Sequence, residues 1–197
     1  MNEEEVLKEF KEANAILNGH FILSSGLHSD TYLQCALALS DAKRADRLCS
    51  ALSKKVKEEL GDTQIDLVAS PAMGGVVVGY EMGRQLGVPA IFCERVDGEF
   101  AFRRGFELKK GAKILVVEDV VTTGKSSLEA IKCIKENGGD VVAEASLINR
   151  NGGNNPLGDI PLISLANLEV KTFDENNIPD ELQGVEAVKP GSRWLKS

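Results

Sequence analysis

The sequence predicts an α/β protein built on a parallel sheet flanked by helices. Three observations predict it. Short apolar runs alternate with helical stretches from residue 65 to residue 149, the pattern of strands joined by right-handed crossovers. Residues 114–117 are apolar without interruption, as in a parallel strand covered on both faces. Gly61, Gly87 and Gly138 stand where the helical stretches stop, as C-terminal caps do.

Taken in order, residues 3–18 read as a helix, because Val6, Phe10, Ala13 and Leu17 recur on one face. Two short apolar segments follow, 21–23 and 32–38, with the turn-like SSGLHSD between them. Ser40-Asp41 caps a long helix that runs to about Leu60. Residues 65–69 form a strand, 75–86 a helix and 89–94 a strand. Asp97-Gly98 is a hairpin turn. Strand 112–117, helix 125–137 and strand 141–149 complete the pattern. Ligands bind beyond the carboxyl ends of such strands. The loops after Ala69, Glu94 and Val117 are therefore where a site is expected.

The 197 residues are 43% hydrophobic and 27% charged, which suits one soluble domain with a real core. A net charge of -7 argues against nonspecific binding to nucleic acid or anionic membranes. Any anionic ligand must be held by local cations, backbone N–H groups or a metal ion. The four cysteines form no Cys-x-x-Cys pair and read as buried, reduced thiols. Two histidines are too few for a His-rich metal site. The start MNEEEVLKEF is acidic and unlike a leader, and no apolar run approaches the roughly 18 residues of a membrane span. The expected compartment is the cytoplasm.

The stretch ILVVEDVVTTGKSS places Glu118 and Asp119 at a strand end. A nucleotide P-loop would need a glycine at 119, where a carboxylate stands. What survives is a small-residue loop, Thr122 to Ser126, opening a helix. Its N–H groups, two hydroxyls and the helix dipole suit a terminal phosphate. The two carboxylates suit neutral hydroxyls, such as a sugar diol, or a magnesium ion. Together they describe a ribose 5-phosphate. Pro71-Ala72-Met73-Gly74-Gly75 offers backbone N–H groups to a second anion. Arg95, Arg103 and Arg104 form a basic cluster after the third strand end.

Val-Val-Glu-Asp-Val-Val-Thr-Thr-Gly resembles the phosphoribosyl pyrophosphate (PRPP) motif of the type I phosphoribosyltransferases. Phe21-Ile22-Leu23-Ser24-Ser25-Gly26, with Tyr32 beyond it, is similar to the N-terminal hood of the orotate-specific members. The resemblance covers nearly the whole chain. It implies a Rossmann-like sheet in one domain, 1–197. The core would span about 40–165, and a small hood would come mainly from 1–38 and the C-terminal region. It implies transfer of ribose 5-phosphate from PRPP to orotate, giving orotidine 5'-monophosphate and pyrophosphate, in pyrimidine synthesis.

The resemblance also implies roles. Glu118, Asp119 and Arg95 would be catalytic. PRPP would be bound by Glu118, Asp119, Val120, Val121, Thr122, Thr123, Gly124, Lys125 and Ser126, with Met73, Gly74, Arg95 and Arg103. Orotate would meet Thr122, Arg150, Ser24, Ser25 and Tyr32. Magnesium would arrive mainly through PRPP, with no direct protein ligand. A homodimer would bring the loop after Glu94 to the neighbouring active site. Departures are visible: many orotate enzymes carry a lysine in the loop at 71–75 and another where Ser24 stands. Many also have lysines and a histidine in the loop that follows Glu94. The tail Lys189-Pro190-Gly191-Ser192-Arg193 resembles the end of a branch of the family without a physical role. A purine phosphoribosyltransferase would share the donor site but not the hood or Arg150. A PRPP-binding regulator acting on nucleic acid would add a basic module, and the first 60 residues show no helix-turn-helix signature.

Overall fold

The computed structural model describes residues 1–23 and 26–190. The elements in chain order are α1 (Glu3–Glu12), β1 (Ile16–Ile22), β2 (His28–Leu33), α2 (Cys35–Leu39) and α3 (Ala42–Leu60). There follow β3 (Leu67–Pro71), α4 (Gly75–Leu86), β4 (Ala90–Val96), β5 (Glu99–Phe102), β6 (Lys113–Val121), α5 (Lys125–Glu136), β7 (Asp140–Asn149), β8 (Leu162–Asn167) and β9 (Thr172–Phe173).

The main sheet has the order β5-β4-β3-β6-β7-β8. All its pairings are parallel except β4–β5, a hairpin closed by Asp97-Gly98 with both residues at positive φ. That is the geometry a two-residue turn requires. From β3 the chain moves outward through α4 to β4. From β6 it moves the other way through α5 to β7. The order therefore reverses between β3 and β6, where a crevice opens.

Side chains along β6 alternate between two cores. Leu115 and Val117 join α1, α3 and α4, with Phe10, Leu48, Leu52 and Met82. Ile114 and Val116 face Ile131 and Ile134 of α5. Helix α4 lies close on β3 because Gly75, Gly79 and Gly83 share one of its faces. A Cβ at Gly79 would stand 1.9 Å from Ser70 Oγ, and one at Gly83 2.8 Å from Ala90 Cβ.

The expected helix 3–18 ends at Glu12 instead. Asn14 takes positive φ, and Leu17 and Asn18 pair with Tyr32 and Thr31 as strand. The SSGLHSD stretch is not all turn either, since His28 to Asp30 already belong to β2. Residues 35–38 of the second expected segment belong to helix α2, which runs to Leu39. Of residues 1–38, only part is hood. Helix α1 packs into the main core through Val6 and Phe10, while β1, β2 and β9 form a separate antiparallel sheet. This hood is tied to the C-terminal segment. Val188 exchanges backbone bonds with His20 and Ile22. His20 Nδ1 lies 2.9 Å from the Val185 carbonyl, and its Nε2 2.6 Å from His28 Nδ1. The main sheet also gains β8, which extends it past residue 165 to Asn167.

Candidate active site

A cleft of about 1630 Å³ opens beyond the carboxyl ends of β3 and β6, with hood residues Tyr32, Leu33 and Thr172 on its far wall. Its floor is the end of β6. Strand alternation sends the adjacent carboxylates to opposite faces. Glu118 lies on the α5 side, where it accepts a hydrogen bond from Ser127 Oγ at 3.1 Å. Asp119 lies on the α4 side, where it accepts from the Val120 N–H at 2.9 Å. The Gly74 backbone rides over Asp119: a Cβ there would come 3.0 Å from both carboxylate oxygens. Burial raises the pKa of Asp119, against the Val120 N–H and the Cys35 thiol, which stabilise its charge. Two acidic residues can thus stand side by side in sequence because the pleat parts their side chains.

The phosphate loop follows directly. Gly124 adopts left-handed φ of 72° before α5 begins at Lys125. A side chain there would also meet Leu157 and Pro156 at 2.9 Å, so only glycine suits the position. Thr123 and Lys125 are exposed at the cleft, and Gly124 is buried. The helix N-terminus favours an anion above them. Across the crevice, Met73 and Gly74 lead into α4, with a cis peptide between Ala72 and Met73.

Arg95 reaches the cleft from β4. It forms an ion pair with Glu129 of α5, donates to the Gly98 carbonyl at 2.7 Å and stacks over Phe100 at 4.3 Å. Its buried Nε has no partner. On the hood side, Arg150 follows β7 and donates to the Thr31 carbonyl at 3.4 Å, while its own Nε is buried and unpartnered. Burial lowers its pKa and raises that of Tyr32 beside it. A half-buried guanidinium with a spare donor, next to an aromatic ring, suits a planar anion.

Most of the expected residues therefore line one cleft: Glu118, Asp119, Val120, Thr122 to Ser126, Met73, Gly74, Arg95, Arg150 and Tyr32. Val121 is fully buried behind it. Arg103 lies away from it, on the exposed hairpin, 4.0 Å from Glu94. Ser24 and Ser25 lie outside the described residues, as does the tail from Gly191. Sequence reasoning missed Cys35, Ser127, Glu129 and Glu144. Cys35 and Glu144 come from other elements, while Ser127 and Glu129 follow the phosphate loop on α5 but read as ordinary helix residues.

Residues 36–175 match the family model of the phosphoribosyl transferase domain. The orotate phosphoribosyltransferase of Sphingopyxis alaskensis is 53% identical over 193 residues, covering 98% of each chain. That of Maricaulis maris is 51% identical over 195 residues, covering 99% of this chain and all of the relative. The chain belongs to the orotate phosphoribosyltransferase family. Among solved structures, the orotate phosphoribosyltransferase of Aeropyrum pernix superposes with a TM-score of 0.67 at 26% identity, over 82% of this chain and 93% of that one. The orotate phosphoribosyltransferase fold thus extends to a relative with only a quarter of its residues in common.

Proposed function

We infer that the protein transfers ribose 5-phosphate from PRPP to orotate, releasing pyrophosphate and forming orotidine 5'-monophosphate in pyrimidine synthesis. The observation that carries this reading is the convergence on one cleft of the carboxylate pair, the phosphate loop and Arg150 with its spare donor. The 5-phosphate sits on the Thr122–Ser126 backbone. Glu118 and Asp119 accept from the ribose hydroxyls. As the bond from C1 to the diphosphate breaks, positive charge grows on the ribose and negative charge on the leaving group. The carboxylates stabilise the first and Arg95 the second. Orotate lies between Tyr32 and Arg150, placed for attack at C1.

Magnesium is proposed as the cofactor. The two carboxylates lie on opposite faces of β6, and among the described residues no three acidic, His or Cys side chains converge. This donor set fits a metal carried by the diphosphate, where it supplies charge neutralisation of the leaving group. The four buried free thiols support a reducing compartment, and we place the protein in the cytoplasm. Cell fractionation that finds it elsewhere would remove that assignment.

A homodimer is proposed on Met73 in the loop before α4 and Val77 and Tyr80 on it, exposed by 78%, 50% and 70%. Met73 and Val77 also line the cleft, so a second copy seated there would border the site, as an apolar patch of this kind invites. Arg103 on its hairpin would then serve the neighbouring cleft. Sedimentation of a monomer at micromolar concentration would refute the dimer.

The reaction is tested by the absorbance loss of orotate with PRPP and magnesium, with adenine, hypoxanthine and uracil in parallel. Turnover of orotate alone is expected. Turnover of a purine alone would keep the donor site and overturn the base pocket. In the same assay, Arg150→Ala is expected to raise the KM for orotate about 10- to 100-fold, the worth of a hydrogen bond to a charged group, with a smaller change for PRPP. The reverse order would undo the assignment of Arg150.

A further inference from the structure

Behind the ribose-facing acid lies a second one. Glu144 of β7 is fully buried. Its Oε1 stands 2.6 Å from Ser127 Oγ, which in turn stands 3.1 Å from Glu118 Oε1. Its Oε2 has no partner. Ser127 has one hydroxyl proton and so donates to only one of the two carboxyls. Two ionised carboxylates on one hydroxyl would leave a buried charge unsatisfied, so the chain closes only if one carboxyl carries a proton. No structural need explains a carboxyl at 144. Its strand partners are Val116 and Leu162, and an apolar side chain would fill such a place without the desolvation cost.

We propose that Glu144 is a positioning residue for Glu118, the two carboxyls sharing one proton through Ser127 and passing it to Glu144 when a ribose hydroxyl donates to Glu118. The step is balanced. The Glu118 Oε1–H bond breaks and its proton joins Ser127 Oγ. The proton already on Oγ leaves for Glu144 Oε1. The hydroxyl is restored, the pair keeps its net charge, and nothing is exchanged with solvent. The result is an ionised Glu118 facing the sugar at the moment positive charge develops there. This rests on the reading of Glu118 as a ribose ligand.

The surroundings agree. Burial pushes Glu144 up to about 7. Burial, then Glu144, then Asp119 hold Glu118 well above the usual carboxylate range, while Ser127 and Arg95 favour its charge. The shorter contact, 2.6 Å from Ser127 Oγ to Glu144 Oε1 against 3.1 Å to Glu118, marks the hydroxyl as donating to Glu144 and leaves the shared proton on Glu118 before PRPP binds. Substrate contact tips it toward Glu144. The charged groups that act on the pair are Arg95 on β4, already paired with Glu129 of α5, and Asp119, next in the chain on the other face of β6.

Two variants of the full chain test this by infrared difference spectroscopy at neutral pH, with and without PRPP, alongside orotate turnover. Wild type is expected to show one protonated-carboxyl band that PRPP shifts without abolishing. Glu144→Gln leaves Glu118 with no carboxyl to pass its proton to, so PRPP is expected to abolish the band and not shift it. Ser127→Ala keeps both acids but cuts the path. Its band is expected to stay fixed on adding PRPP, and its KM for PRPP to rise about tenfold, as for a lost bond to a charged group, with the KM for orotate unchanged. A wild type that turns over orotate yet shows no band, or a Ser127→Ala protein indistinguishable from it, overturns this proposal alone. A wild type that neither binds PRPP nor consumes orotate overturns the functional reading with it.

Discussion

Asp119→Asn is expected to lower kcat/KM for PRPP by about 10²- to 10³-fold, the usual cost of removing one electrostatic contact to a transition state. The substitution preserves shape. It removes the charge opposite the developing ribose cation and replaces one acceptor oxygen with a donor. It should not unfold the protein. Burial raises the folded-state pKa of Asp119 above its ordinary value. Its ionisation therefore costs stability as pH rises through that raised pKa. An uncharged amide escapes the cost, so the variant should melt no lower than wild type at neutral pH. Unchanged kinetics in a folded variant would sink the role given to Asp119. A large fall in melting temperature would mean that the carboxylate is structural.

Gly79→Ala carries the largest expected effect on stability. The added Cβ would stand 1.9 Å from Ser70 Oγ and 2.9 Å from Ser70 Cβ, so helix and strand must separate. Overpacking of this kind costs about 1–3 kcal/mol or more. For a chain of this size that lowers the melting temperature by roughly 2–12 °C. The same displacement moves the Met73–Gly74 loop at the head of α4, so PRPP affinity should fall with stability. Adding Ser70→Gly removes both clashing atoms and should recover most of the loss, a coupling that distant sites do not show. A single variant melting within a degree of wild type would mean that α4 is not held close by its glycines.

Much of this was legible in the sequence, for reasons that differ by element. Helices α3, α4 and α5 announce themselves through caps and periodicity, and the structure starts α4 and α5 at the expected residues Gly75 and Lys125. The end of α1 was not legible. Leu17 continues the helical spacing, but pairing with Tyr32 across the hood outweighs local preference. Strand β9 is two residues long and exists only through its bonds to His28 and Ser29. The phosphate loop and acid pair were legible because they are contiguous. Arg150 and Tyr32 were found through resemblance. Glu144 and Ser127 were not, since the strand VVAEASLIN gives no sign that its glutamate faces another across a serine from helix α5. The glycine spacing 75, 79, 83 was in plain view, yet its meaning lies in Ser70 and Ala90, which no local window contains.

The two acids on opposite faces of β6 are also consecutive residues. Their Cα atoms are joined by a single peptide, about 3.8 Å apart. The spacing of the two backbone anchors is therefore set by covalent bonds, while the reach of each carboxylate is set by its own rotamer and contacts: Ser127 of α5 for Glu118, and the Gly74 backbone at the head of α4 for Asp119. If α5 slides or α4 tilts, through mutation or on loading the site, one jaw of this grip moves while the other keeps its place on β6. The layers above and below can thus adjust each side of the calliper separately on a common hinge.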